Sequence, residues 1–518
     1  MPQWNEPMRG QGVARSVRRM KHGPAAWRAS SSRRFVAGVC ALCVCLAGCA
    51  PLPPRRQALP QRDLAAAQLP ASIHLAREGW PDAAWWKAYG DPQLDALMAR
   101  ALQSAPTLQA AAARIGEARS ILRQQHAARG LDVGLNGNVN RQRYSSNGLF
   151  PPPIGGSIYS ETTLEAQADY DFDWWGRHRA QIAAALGEVN ARRADYAEAE
   201  RGLTAAVAQH YVDMQADWAQ LDNLREVIAA RQALLQDSRR RVAHGLASTD
   251  LEQDAEQALA DSSKQAAAAQ ARADSEREAL RALLGDDARA LADLRPQALP
   301  KVAPHLPATL GIELLARRPD LQAARWRVEA ALSRVEAARA AFYPDVNLKA
   351  WFGLDSLSLR DLLQAGSRTF YLGPTVSLPL FDSGRLEAGL GAANAQRDSM
   401  IADYNQAVVN AVRDVAQDGV MVQGLERQAA QQARMTQAAQ ALLDSAQRRF
   451  RQGLIDRADV LDAKLALLRQ QQLGLQLHGN ELQAEIALTQ ALGGGFRQAP
   501  AGTATAAAPV DATRRAIP

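Results

Sequence analysis

Residues able to do chemistry are few in this chain and poorly spaced for it. Four cysteines, Cys40, Cys43, Cys45 and Cys49, fall within ten residues near the start, and none follows. A disulfide framework, an iron–sulfur cluster and a cysteine zinc site are thereby excluded from the rest of the chain. The histidines (His22, His74, His126, His178, His210, His244, His305, His478) are scattered, and none has a second His or Cys at metal-ligand spacing. Gly389-Leu390-Gly391-Ala392-Ala393-Asn394 mimics a dinucleotide fingerprint without its last glycine and without a βαβ unit around it. No Gly-Lys-Ser/Thr phosphate loop and no Gly-x-Ser-x-Gly elbow occurs. The sequence predicts no enzyme, no metal and no cofactor.

Carboxylates are better ordered. Asp169, Asp171 and Asp173 alternate with apolar residues. Asp414 and Asp418 are four apart, on one helical face, with Arg413 beside the first. Both patterns suit surfaces that attract ions rather than sites that break bonds.

The chain that must position them has 518 residues, 47% hydrophobic, 22% charged and 5% aromatic. Few aromatics mean an Ala-, Leu- and Val-rich core, which favours long helices. Residues 1–48 hold eight of the 60 basic and one of the 54 acidic residues, leaving 52 and 53. The basic excess belongs to the leader, which weakens any nucleic-acid reading.

Arg33-Arg34 precede a thirteen-residue apolar run, Phe35 to Ala47, too short to span a bilayer as a helix. Leu46-Ala47-Gly48-Cys49 then resembles the bacterial lipobox. By that resemblance residues 1–48 are a signal peptide and Cys49 is the acylated first residue of the mature chain. Met20 would give a more ordinary leader than Met1. Ala50 follows Cys49 where an inner-membrane retention signal has Asp, so the outer membrane is the expected destination.

The body repeats itself. Pro106-Thr107-Leu108-Gln109-Ala110-Ala111 matches Pro319-Asp320-Leu321-Gln322-Ala323-Ala324 at an offset of 213, as Asp132-Val133 matches Asp345-Val346. Gly176 matches Gly384, Gly245-Leu246 matches Gly453-Leu454, and Leu284-Gly285 matches Leu492-Gly493, all at 208. A loop five residues longer in the first copy accounts for the change. The expected plan is a lipidated linker over 49–82, repeat one over 83–295, a Pro-rich linker over 296–308, repeat two over 309–495 and a disordered tail over 496–518.

Each copy should open with a helix, over residues 92–127 and 309–341. Two alternating strands follow. Leu131, Val133, Leu135 and Val139 alternate with polar residues, as do Leu164 to Phe172, Val346 to Leu354 and Phe370 to Leu380. One apolar and one wet face suit a membrane barrel, but four strands cannot close one, so an oligomer is required. Long helices come next. Val207, Tyr211, Met214, Trp218 and Leu221, and again Ile401, Tyr404, Val408, Ala411 and Val415, form heptad seams. Turns are expected at residues 213–221 and 417–425, the latter marked by Gly419 and Gly424. Gly245 and Gly453 would interrupt the returning helices at a belt.

Together the lipobox, the duplicated unit, Leu315-Ala316-Arg317-Arg318-Pro319-Asp320, Phe342-Tyr343-Pro344, Leu380-Phe381-Asp382-Ser383-Gly384-Arg385, Arg449-Phe450-Arg451-Gln452-Gly453 and Val460-Leu461-Asp462-Ala463 resemble the TolC/OprM outer membrane factors, most of all their NodT-like lipoprotein branch. The resemblance covers about residues 83–495. It implies a mainly α protein with a small β part. Three protomers with four strands each would form one twelve-stranded β-barrel above a long α-helical coiled-coil barrel reaching into the periplasm. It also implies a passive duct for drugs or other small toxic compounds, working with a periplasmic membrane-fusion adaptor and an inner-membrane transporter of the resistance-nodulation-division type or similar. A type I protein secretion duct and a periplasmic coiled-coil scaffold lipoprotein are the alternatives. The family closes its tunnel with acidic rings near the far tip. Asp418, with Asp414, is the expected constriction and Arg413 its latch partner, while the turn near 213–221 would meet the adaptor. Asp169, Asp171 and Asp173 are expected to line the barrel lumen.

Overall fold

The computed structural model describes residues 53–63, 73, 77–285, 287, 291–301, 305–306, 314 and 316–497. The leader, the lipobox with Cys49, and the tail from residue 498 lie outside the described residues.

Repeat one contains α1 (Pro92–Ser104), α2 (Pro106–Ala127), β1 (Asp132–Arg143), β2 (Ile158–Asp171), α3 (Arg177–Ala243) and α4 (Thr249–Leu284). Repeat two contains α5 (Pro319–Ala340), β3 (Asp345–Ser356), β4 (Arg368–Ser377), α6 (Arg385–Arg451) and α7 (Arg457–Ala491). The copies agree closely. Helices α2 and α5 have 22 residues each, α3 and α6 have 67 each, and β1 and β3 have 12 each. Strand β2 has 14 residues against 10 in β4, so part of the length difference lies in the returning strand.

The expected helix over 92–127 is two helices. Pro106 has no N–H to donate and bars the helical conformation at Ala105, which is extended at ψ 129°. Asp91 caps α1, accepting from Gln93 N at 2.8 Å. The first part of the expected helix over 309–341 falls largely outside the described residues, and α5 starts at Pro319.

The long helices correct the expected turns. Helix α3 runs unbroken through 213–221, and α6 through 417–425. Gly419 is a site of close approach: a Cβ there would stand 2.9 Å from Ile73 Cγ2. Val415, Val422 and Leu425 continue one buried stripe past it. The chain reverses instead at Gly245 (φ 71°) and Gly453 (φ 70°), both left-handed, as a tight helix-to-helix turn requires. These are hairpin turns, not belts. Asp456 then starts α7 with a reciprocal capping box to Asp459.

Both heptad seams are buried. Val207, Tyr211 and Met214 join Leu94, Met98, Leu280 and Ile486 in one core, with Trp218 packed against it. Ile401, Tyr404, Val408, Ala411 and Val415 join Leu321, Val328 and Leu488 in a second. The first core is built on repeat one with Ile486 of α7 added, the second on repeat two, and α3 packs along α4, α5 and α7.

The four strands form one antiparallel sheet, ordered β1-β2-β3-β4. Its register aligns Leu135, Ala166, Phe352 and Phe370 in a single row. Apolar positions therefore gather on one face of the whole sheet.

Candidate functional site

Three places hold the features that could do work: the sheet, its junction with the helices, and the hairpin ends farthest from it. On the sheet, Val133, Leu135, Val139, Phe352, Phe370, Leu372 and Val376 share one face and are strongly exposed. So much exposed apolar side chain marks a surface meant to be covered. The opposite face carries Asp132, Glu161, Glu165, Asp169, Asp171, Asp345 and Asp355, with Lys349 the one cation among its strand residues. Lys349 lies 3.5 Å from Asp169. Trp351 and Tyr371 stack on this polar face, centroids 6.0 Å apart.

The sheet joins the helices through a knot of charge. Asp171 Oδ2 lies 2.8 Å from His178 Nε2 and 3.4 Å from Arg177, which is equally close to Asp345. Asp169 and Asp171 thus occupy the polar face, as the alternation predicts. Asp173 does not. The strand ends at Asp171, and Asp173 turns inward (φ 49°) and is buried. Its carboxylate accepts from the backbone of His178 at 2.8 Å and Arg179 at 3.0 Å. It serves the first turn of α3, where backbone donors lack partners.

The expected gate residues lie elsewhere than predicted. Arg413, Asp414 and Asp418 sit inside α6, with more than 30 residues of unbroken helix between Asp418 and its end. At 1.5 Å per residue that is roughly 50 Å from the turn. Asp414 meets Arg413 at 2.6 Å and Arg318 at 3.7 Å. Arg318 is buried where α5 begins. It donates to both Asp320 oxygens, at 3.0 and 2.7 Å, and to the Ala491 carbonyl at 3.2 Å. Burial raises the Asp320 carboxyl, but the hydrogen bond and charge of Arg318 outweigh it and hold the carboxyl below its usual value. Asp418 has no such partner among the described residues: burial, then the Asp414 charge, push it up to about 6 against the pull of Arg318. These residues tie the start of α5 to the middle of α6 and the end of α7, all within repeat two. Residues 213–221 likewise lie within α3, where burial raises both Asp213 and Asp217.

At the far hairpin ends, ion pairs join the two copies. Arg241 bonds Asp456, Arg457 reaches Asp237 at 3.9 Å, and Lys464 bonds Glu226 at 2.8 Å. Sequence reasoning missed them, because the partners stand more than 200 positions apart. The Arg318–Asp320 pair was visible only as part of a motif. A further contact belongs to the linker. Arg397, buried on α6, donates to the carbonyls of Arg56 and Gln57, and Asn405 pairs with Arg62 N and the Pro60 carbonyl. The linker is strapped along α6.

The outer membrane efflux protein family model matches residues 97–286 and 310–494, the two repeats. The multidrug resistance outer membrane protein MdtP of Escherichia coli K12 is 39% identical over 479 residues, covering 90% of this chain and 98% of that protein. MdtQ of Escherichia coli O157:H7, also called a multidrug resistance outer membrane protein, is 38% identical, covering 88% and 97%. The crystal structure of the outer membrane protein VceC from Vibrio cholerae superposes with a TM-score of 0.72 at 31% identity, over 81% of this chain and all of that one.

Proposed function

Since the chain belongs to the outer membrane efflux protein family, we propose that three copies close one twelve-stranded barrel over a helical tunnel and act as a passive export duct. The two open edges of the sheet, β1 and β4, carry this reading. Unpaired strand edges cannot stand in lipid, and three four-stranded sheets joined edge to edge leave none. The apolar face then meets lipid and the polar face lines a wet lumen. Asp169 and Asp171 are lumen residues in this arrangement.

Drugs or other small toxic compounds, as for the multidrug resistance relatives, are the proposed cargo. A periplasmic adaptor docks on the hairpin turns at Gly245 and Gly453 and links the duct to an inner-membrane transporter. The duct supplies no energy and no bond-breaking step. The pairs Arg241–Asp456, Arg457–Asp237 and Lys464–Glu226 staple the tips of one protomer, and their release accompanies opening. Cys49 carries the lipid. The linker supports this, since Arg56 lies at Arg397, twelve residues from the sheet end of α6, or roughly 18 Å.

Planar-bilayer conductance of the purified protein, with its mass from the same preparation, tests the proposal. A trimer giving discrete cation-selective channels is expected. A non-trimeric chain that never conducts overturns it.

A further inference from the structure

The apolar face of the sheet is free of carboxylates but not of charge. Register places Arg141 and Arg143 on the same face as Val133, Leu135 and Val139. It places Arg368 on the same face as Phe370, Leu372 and Val376. All three arginines stand at the sheet end away from the helices. All are exposed, and none makes a side-chain hydrogen bond or ion pair among the described residues.

Their position relative to the apolar band is specific. From Leu131 to Val139 the band covers about 27 Å of chain, or roughly 21 Å of height at a 40° tilt, comparable with the thickness of a barrel's lipid belt. Arg141 is the next residue on that face. On β4 the band ends at Phe370, and Arg368 is again the next. These cations therefore sit at the outer hydrocarbon boundary rather than in open water. They also lie on the two edge strands. In a closed trimer β1 of one protomer pairs with β4 of its neighbour, so both strands bring their arginines to one seam. Three guanidinium groups then share a face whose strand residues include no carboxylate, and each offers a planar fork suited to phosphate oxygens.

We propose that each protomer seam binds the head-group phosphates of an outer-leaflet lipid, through Arg141 and Arg143 of one protomer and Arg368 of the next. The acyl chains lie along the apolar band beneath. The bound lipid neutralises the seam and holds the protomers together. This inference rests on the trimeric barrel proposed above.

Native mass spectrometry of the trimer with bisphosphorylated lipid A as probe tests it. The wild-type trimer should retain lipid A and dissociate at a higher temperature with it. The R141Q/R143Q/R368Q variant should bind about tenfold or more weakly and lose that thermal shift, the scale of one lost charged hydrogen bond. Arg434→Gln, on α6, should change neither. Should the triple variant fail to assemble, R143Q and R368Q singly should each weaken binding. Dephosphorylated lipid A should not bind, and millimolar inorganic phosphate should not compete. Complete competition by inorganic phosphate, or equal retention by wild type and triple variant, overturns the proposal. A wild-type mass that is not a trimer overturns the barrel reading instead, and the same spectrum distinguishes the two failures.

Discussion

Arg318 and Asp320, two residues apart at the start of α5, are locked by two hydrogen bonds of 3.0 and 2.7 Å in a buried site that Asp414 of α6 also approaches. Removing one partner from such a pair leaves an uncompensated buried charge. Arg318→Ala should cost about 3–5 kcal/mol of stability, whereas the matched apolar replacement R318M/D320L should cost far less. Thermal unfolding followed by circular dichroism checks both. Equal losses would mean that packing, not charge, governs the site.

Asp418 gives a pH dependence with a definite sign. Its folded value of about 6 exceeds that of an unfolded carboxylate. The folded state therefore holds this proton more tightly. Stability falls as pH rises from roughly 4 to 6 and stays reduced above that window. Asp418→Asn should raise stability near neutral pH by roughly 1 kcal/mol, after discounting for solvent screening of this half-buried group. Near pH 4 it should have no effect. Melting curves across this range decide the matter, and a destabilised Asn variant at neutral pH would reverse the reading.

The tip staples should separate gating from stability. Arg241 and Asp456 are both about half exposed, so their pair adds little to folding. Arg241→Glu places two like charges together. Single-channel recording should show more frequent opening, with melting temperature nearly unchanged. An unaltered open probability would remove Arg241 from the gate.

The wet face of the barrel should set ion preference. Replacing Glu165 and Asp169 with Lys reverses six charges per trimer in a confined lumen. Reversal potentials should show the cation preference falling several-fold or inverting. Unchanged selectivity would place the ion filter outside the sheet.

Much of this molecule was legible in local residue patterns. Period-two alternation located the four strands of the antiparallel sheet and the side each of their residues faces, because side chains alternate along a pleated strand. The offsets of 213 and 208 located both copies, and the structure reproduces them at the ends of α2, α3 and α6. Heptad spacing identified the buried stripes. The turns were another matter. Gly419 and Gly245 look alike as helix interruptions, yet one sits within a 67-residue helix and the other reverses the chain. A glycine only permits a left-handed turn or a close contact. Ile73 packs against Gly419 from far away in sequence, whereas a Cβ at Gly245 would meet nothing within 4 Å. Asp173 is a local case: the alternation extends it onto the strand, but the first turn of α3, five residues on, recruits its carboxylate. The ion pairs at the tips, and that between Arg318 and Asp414, join residues that nothing local connects. Local sequence determined the period, the repeat and the faces, since these depend on neighbours in the chain. Only tertiary packing decided which glycines turn the long helices and which charges meet across the copies, since those depend on partners far away in the chain.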